Sequence, residues 1–318
     1  MTSFTIPKPR AFRLSAATEF YAGFTPGSGM AAAAVDQLTL AFRLDQSFEA
    51  VAVALREERD VIVGQLAGGE DAPRAARQVA RILGLEAGAD DWFAVGQREP
   101  VVGMLQRQFP GFFTAAKASP YDAATWGMIA PRMNLKQAAN IKQAMARELG
   151  DRVELFGRVH HVFPAPRELA TLERFPGLNE EKIVRLRGVA RAALEGRLDA
   201  DYLRDLGEKA ALTELQTLRG VGPWAASHIY YRGAAPRDAL PTAEPRVLHG
   251  LAQAYRIDVP SEAVYRRIAE GWRPFRMWVC VLLSRYLARQ GGWDAPGLAQ
   301  ERATAGKALA RRTRSTAA

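Results

Sequence analysis

Cysteine is nearly absent from this chain of 318 residues: Cys280 is the only one. A single thiol excludes an internal disulfide, and it cannot anchor a structural zinc or an iron–sulfur cluster. It sits in the apolar run WVCVLL, where a buried core thiol is expected. Long hydrophobic runs are missing too. The Ala-rich segment at 29–35 is far shorter than the roughly 20 residues that cross a bilayer. No basic-then-apolar leader opens the chain, so the expectation is a soluble protein without membrane contact, cytoplasmic or nucleoid-associated. Acid is scarce relative to base: 34 Asp and Glu face 43 Lys and Arg, a formal net charge of +9. That excess favours a polyanionic partner, nucleic acid or an anionic surface, although plain soluble proteins also carry such charge.

What is present is a globular composition, 48% hydrophobic, long enough for one large domain or two to three modest ones. The first ten residues, polar and proline-bearing, are expected to be tail-like. From Ala11 to Gly69 the pattern is strand-like. QLTLAFRL (37–44), FEAVAVAL (48–55) and DVIVGQL (60–66) alternate between short polar turns, the pattern of a small antiparallel sheet. From Ala72 onward apolar residues recur at helical spacing. Helices are expected over 97–108, 120–130, 135–149, 166–173, 179–195, 199–205, 211–218, 223–232, 245–255, 260–270 and 274–289. The predicted fold class is α+β. It comprises a small β-rich N-terminal domain (1–80), a mostly helical core (81–300) and a basic flexible tail (301–318).

The most informative stretch is LRGVGPWAASH (218–228), two glycines and a proline between two helices. Gly220 and Gly222 flank Val221, which is placed to pack inward as a clasp. Glycine admits positive φ and lets another molecule approach the backbone. Pro223 suits the first turn of the next helix. The free N–H groups of such a turn form a site for one phosphate, aided by the helix dipole. Arg219, Arg232 and Arg237 add charge nearby. An ordinary helix–turn–helix corner is the alternative. FPGLNEEKIVRLRGVARA (175–192) echoes the pattern without the second glycine and is expected to be a structural hairpin.

Read on to GVGPWAASHIYYRGAAPRDALPTAEPRVLHG, the segment resembles the helix-hairpin-helix family of DNA base-excision glycosylases, in particular the 3-methyladenine DNA glycosylase II group. SPYDAATWGMIAPRMNLKQAANI (119–141) is similar to the family's gap-filling helix and loop, and WRPFRMWVCVLLSRYL (272–287) to its closing helix. The resemblance covers roughly 100–290, with the hairpin at 211–232, and implies a helix-hairpin-helix glycosylase core behind the sheet. It also implies roles. Gly220, Val221, Gly222 and Arg219 hold DNA phosphate, and Trp224, His228, Trp272 and Trp278 line a base pocket. Arg132 or Met133 is the wedge. Tyr230 is a further aromatic candidate, and Trp278 and Tyr230 fit a core as readily as a pocket. The family's strand-cleaving members carry a lysine where this chain has Trp224, which implies a monofunctional enzyme that leaves an abasic site.

Two departures stand out. Glu244 occupies the position of the family's essential aspartate, and Pro131 replaces a usual glutamine. Asp238 matches a structural acidic residue. A carboxylate at Glu244 would stabilise the oxocarbenium-like sugar and orient water, with no metal or organic cofactor. Its extra methylene matters, because a displacement of about 1 Å can lose roughly 100-fold in rate. The expected function is removal of alkylated purines such as 3-methyladenine from damaged double-stranded DNA, by a monomer without an obligate protein partner. A glycosylase for deaminated or oxidised bases, and a non-catalytic DNA- or lesion-binding protein, are the alternatives.

Overall fold

A computed structural model describes residues 2–23, 31–34 and 37–291. Five strands, β1 (Thr2–Pro7), β2 (Ala31–Ala34), β3 (Gln37–Arg43), β4 (Ala50–Glu57) and β5 (Val61–Ala67), form an antiparallel sheet in the order β1-β5-β4-β3-β2. The three strands read from alternation are all present. β4 explains their pattern, because it is buried on both faces. Val51, Val53 and Leu55 enter the main core, whereas Ala52 and Ala54 pack with Ala41 under a second, smaller cluster of Val153, Leu155 and Val162.

That second cluster belongs to a hairpin, β6 (Asp151–Leu155) paired with β7 (Arg158–Val162), where no strand is expected from the sequence pattern. Val153 and Leu155 alternate in DRVEL and Val162 ends RVHHV, and small alanines on the sheet leave room for these three.

Two expectations need correction. The N-terminus is not a tail: Thr2 to Pro7 pair with Leu66 to Val61, and the Phe4 ring lies over Gly64, where a Cβ would come within 2.3 Å of it. The strand-like reading of 11–36 also fails at α1 (Leu14–Gly23). Leu14, Ala17 and Tyr21 bury one helical face, and the Leu14 N–H donates to Glu57 Oε2 at 2.7 Å.

α2 (Ala72–Leu83) starts at an Asp71 cap and ends at Gly84 in the left-handed region. It packs on β1 and β5, and one continuous core runs from Ile6 through to Leu283. The predicted helix at 97–108 is two, α3 (Trp92–Arg98) and α4 (Pro100–Gln108). Glu99 breaks them. The residue before a proline avoids helical backbone, and the Glu99 carboxylate accepts from the Val102 N–H at 2.6 Å. Then follow α5 (Pro120–Ile129), α6 (Leu135–Glu148), α7 (Pro166–Ala170) and α8 (Glu180–Leu194). α9 (Ala200–Gln216) is interrupted at Gly207, φ 76°. Beyond it lie α10 (Pro223–His228), a π-helical turn (Ile229–Ala234), α11 (Pro245–Tyr255), α12 (Glu262–Glu270) and α13 (Arg276–Arg289). Cys280 is buried against the Tyr265 hydroxyl, and burial pushes its thiol up to about 12. No described helix is long and apolar enough to cross a membrane. The predicted tail at 301–318 lies outside the described residues.

α11 lies against α13 at Gly250, where an added Cβ would sit 2.4 Å from the Leu283 carbonyl oxygen. Gly250→Ala therefore forces the helices apart. The expected loss is about 1–3 kcal/mol in denaturant unfolding, as for other overpacked contacts.

Candidate active site

The glycine hairpin joins α9 to α10. Leu215, Leu218 and Val221 are buried, and the Val221 N–H donates to the Leu218 carbonyl at 3.0 Å, closing the turn. Gly220 has φ 84°, and a Cβ there would strike the Arg185 side chain at 2.4 Å. Gly222 is exposed with open space around it, and it caps α10 without a side-chain bond. The first-turn N–H groups of Trp224 and Ala225 therefore lack intrahelical acceptors. Arg219 is exposed but paired with Glu181 at 3.1 Å, a surface contact that a phosphate can displace cheaply.

The loop between α5 and α6 lies on the same edge because α8 braces both. Lys182 Nζ donates to the carbonyls of Ile129 (2.6 Å) and Pro131 (2.8 Å), one turn from Arg185 and next to Glu181. Arg132 protrudes in the left-handed region, φ 60°, while Met133 packs back on the core. Arg132 is thus the wedge candidate that projects and Met133 the one that does not. Asn134 caps α6 through the Gln137 N–H at 2.8 Å.

The four aromatic pocket candidates separate. Trp224 is 53% exposed and stacks on His228, with ring centroids 5.4 Å apart and planes 10° from parallel. Trp272 is 0% exposed, and its indole N–H donates to the Tyr255 hydroxyl at 2.8 Å. Trp278 is buried among Trp92, Phe113 and Phe275. Placing Trp272 and Trp278 in a base pocket is therefore corrected: both are core, with no face left for a base. Tyr230 is core as well, edge-on to Tyr231.

Glu244 itself caps α11. Its carboxylate is half-buried and accepts only weakly from the Arg246 N–H, at 3.4 Å. Arg232, whose guanidinium is drawn down by burial, is held up by the charges of Tyr21 and Glu244. Asp238 is structural: Arg276 Nε and Arg273 both bind its carboxylate, at 2.7 and 2.6 Å, fixing the loop before α11 to the start of α13. Arg237 donates to the Ala87 carbonyl at 2.8 Å and covers the Phe275 ring, away from the hairpin.

A charge cluster sits between α5, α6 and the loop before α5. Lys117 is 0% exposed, 3.7 Å from Asp122 and 5.1 Å from the centre of the Trp126 ring. Lys142 bonds the other Asp122 oxygen. The Lys117 N–H donates to the Arg232 carbonyl at 2.8 Å, which ties the cluster to the π-turn. Burial and Lys142 pull the Lys117 ammonium down to about 7 against the pull of Asp122. Burial alone would raise Asp122, but Lys142 and Lys117 outweigh it and hold the carboxyl low. His228 Nε2 is buried without a hydrogen-bond partner, and burial with Lys117 and Arg232 nearby lowers the imidazole to about 3. Only a lysine between alanines, AAKAS, hinted at any of this in the sequence. Among the described residues no cluster could hold a metal ion.

Sheet, helical core, hairpin and the loop braced beside it define a helix-hairpin-helix architecture. The 3-methyladenine DNA-glycosylase from Archaeoglobus fulgidus shares it with a TM-score of 0.72 and 20% identity, covering 90% of this chain and 98% of that one. An 8-oxoguanine glycosylase/lyase of Clostridium acetobutylicum, in complex with dsDNA, gives 0.58 at 14% identity over 83% and 99%. By sequence, a DNA-3-methyladenine glycosylase of Bacillus subtilis (strain 168) is 23% identical over 205 residues, 62% of this chain and 66% of that protein. No family model matches. The chain has the fold of these glycosylases.

His228 is expected to stay neutral. Its ring nitrogens should show no titration in NMR between pH 8 and 4, because its folded value lies at about 3. The unfolded imidazole takes up a proton near 6.5, so below that pH protons favour the unfolded chain. This group's contribution therefore falls as pH drops from about 6.5 towards its folded value.

Proposed function

We propose that the chain is a monofunctional DNA glycosylase that hydrolyses the N-glycosidic bond of a damaged base in duplex DNA. The observation that carries this reading is the placement of Glu244. A half-buried carboxylate at a helix start interacts with the charge of Arg232, which also acts on His228, and His228 stacks on Trp224 in the helix that follows the glycine hairpin. A nucleotide held by the hairpin and swung out would present its sugar to Glu244 and its base to Trp224. Arg132 would fill the gap, lowering the cost of unstacking, which is a few kcal/mol. Glu244 then stabilises the cationic sugar and takes a proton from the attacking water. Trp224 has no amine at the position where an amine would form a Schiff base, so the product is an abasic site in an uncut strand. The working unit is a monomer, and its macromolecular partner is damaged double-stranded DNA.

Glu244→Gln tests the reading. Base release under single-turnover conditions should fall at least 100-fold while duplex binding stays within a few-fold. Undiminished release by the variant, or strand cleavage by the wild type without added base or heat, would count against it. Duplex binding should also weaken steeply between 50 and 200 mM salt, as phosphate contacts release counterions. An affinity that does not change with salt would contradict the proposed interface.

A further inference from the structure

A cavity of about 300 Å³ opens between β3, β7, α6 and the start of α5, and neither the hairpin nor Arg132, Trp224, His228 or Glu244 lines it. The rings of Phe42, Tyr121 and Phe163 form its apolar body, with the Tyr121 and Phe163 centroids 6.3 Å apart and the planes tilted by 60°. These rings are held in place. The Tyr121 hydroxyl donates to the Pro164 carbonyl at 2.9 Å, and the Lys142 ammonium lies 5.7 Å from the centre of the Phe163 ring. A concave apolar wall carrying a few fixed polar groups is the form that small-molecule sites take.

The polar groups decide the sign of the ligand. Asp122 is the one acid among the lining residues, and Lys142 and Lys117 already share its carboxylate. Arg43 is committed as well. Its Nε donates to the Phe163 carbonyl at 2.7 Å, its Nη1 donates to the Phe48 carbonyl at 3.0 Å, and its Nη2 pairs with Asp151 at 2.5 Å. Two groups remain. Arg147 is exposed, one turn along α6 from Gln143, and makes no ion pair among the described residues. His161 Nδ1 is buried without a hydrogen-bond partner, a state that is costly until some group answers it. A cationic ligand would find no free acid here. An anion would meet a guanidinium and an imidazole N–H.

We propose that this cavity binds a small aromatic carboxylate, its ring among Phe42, Tyr121 and Phe163 and its carboxylate held by Arg147 and the His161 Nδ1–H. A flat ring loses little freedom of its own on binding and packs favourably against tilted rings. A bare inorganic anion leaves the apolar wall uncovered. A neutral ring leaves Arg147 and His161 unanswered. The site is separate from the exposed edge at the hairpin, so its occupancy does not depend on the glycosylase reading.

The test is calorimetric titration of the full chain with 2-naphthoate, beside 2-naphthalenemethanol and inorganic phosphate as controls. The naphthoate should bind at least tenfold more tightly than either control. Arg147→Gln, at an exposed position that the fold does not need, should weaken naphthoate at least fivefold and leave the alcohol within twofold. Ala146 lines the cavity from a half-buried position on α6, and Ala146→Phe should fill it and abolish binding. Excess undamaged duplex should leave the naphthoate affinity within twofold. Either control binding as tightly as naphthoate, an affinity unchanged in both variants, or no binding of naphthoate at millimolar concentration would overturn the proposal. Displacement of naphthoate by the duplex would overturn it too, by placing the ligand on the DNA-facing surface.

Discussion

The carboxylate of Asp122 holds together the part of the molecule where chain segments meet. It lies in the first turn of α5, between an ammonium from the preceding loop and one from α6. Charges this deep are costly unless paired, and here one acid serves two bases. The arrangement locks α5 against α6 and, through the Lys117 backbone, against the π-turn that follows the hairpin helix. Around this anchor the exposed edge is assembled by ordinary contacts. Lys182 ties down the α5–α6 loop, and Arg185 fills the space that Gly220 leaves open.

Much of the architecture was legible because burial imposes periodicity. β3, β4 and β5 alternate as sheet strands must, and Gly220, Gly222 and Pro223 announce a turn by their backbone chemistry. What was hidden had competing signals. β1 is polar on one face and opens with the chain terminus, which made it look like a tail. β6 and β7 carry so few apolar residues that only the alanine-lined sheet beneath them explains their position. At 97–108 a helical period continued across Pro100, and the backbone constraint on Glu99 won over it.

The site was half legible. Trp224 is exposed in the first turn of α10 and Glu244 caps α11, and in the sequence the prolines beside them mark both segments as helix starts. Tryptophan composition misled elsewhere, since a ring wanted by a pocket and a ring wanted by a core look the same in one dimension. Lys117 shows the converse. A lone lysine in a small-residue stretch reads as a solvated side chain, and only three-dimensional packing reveals it as wholly enclosed.

The π-turn at Ile229–Ala234 sets the angular position of everything beyond His228. A regular helix advances about 100° per residue, and a wider turn accommodates one residue more before the chain realigns. Arg232 owes its inward aim, and Gly233 its seat against Pro120, to that extra residue. Shortening the segment by one would rotate the guanidinium round the helix axis while sparing both the hairpin and the sheet. The electrostatic character around Arg232 is therefore encoded by a local count of residues as much as by their identities, and it can change without disturbing the hairpin or the sheet.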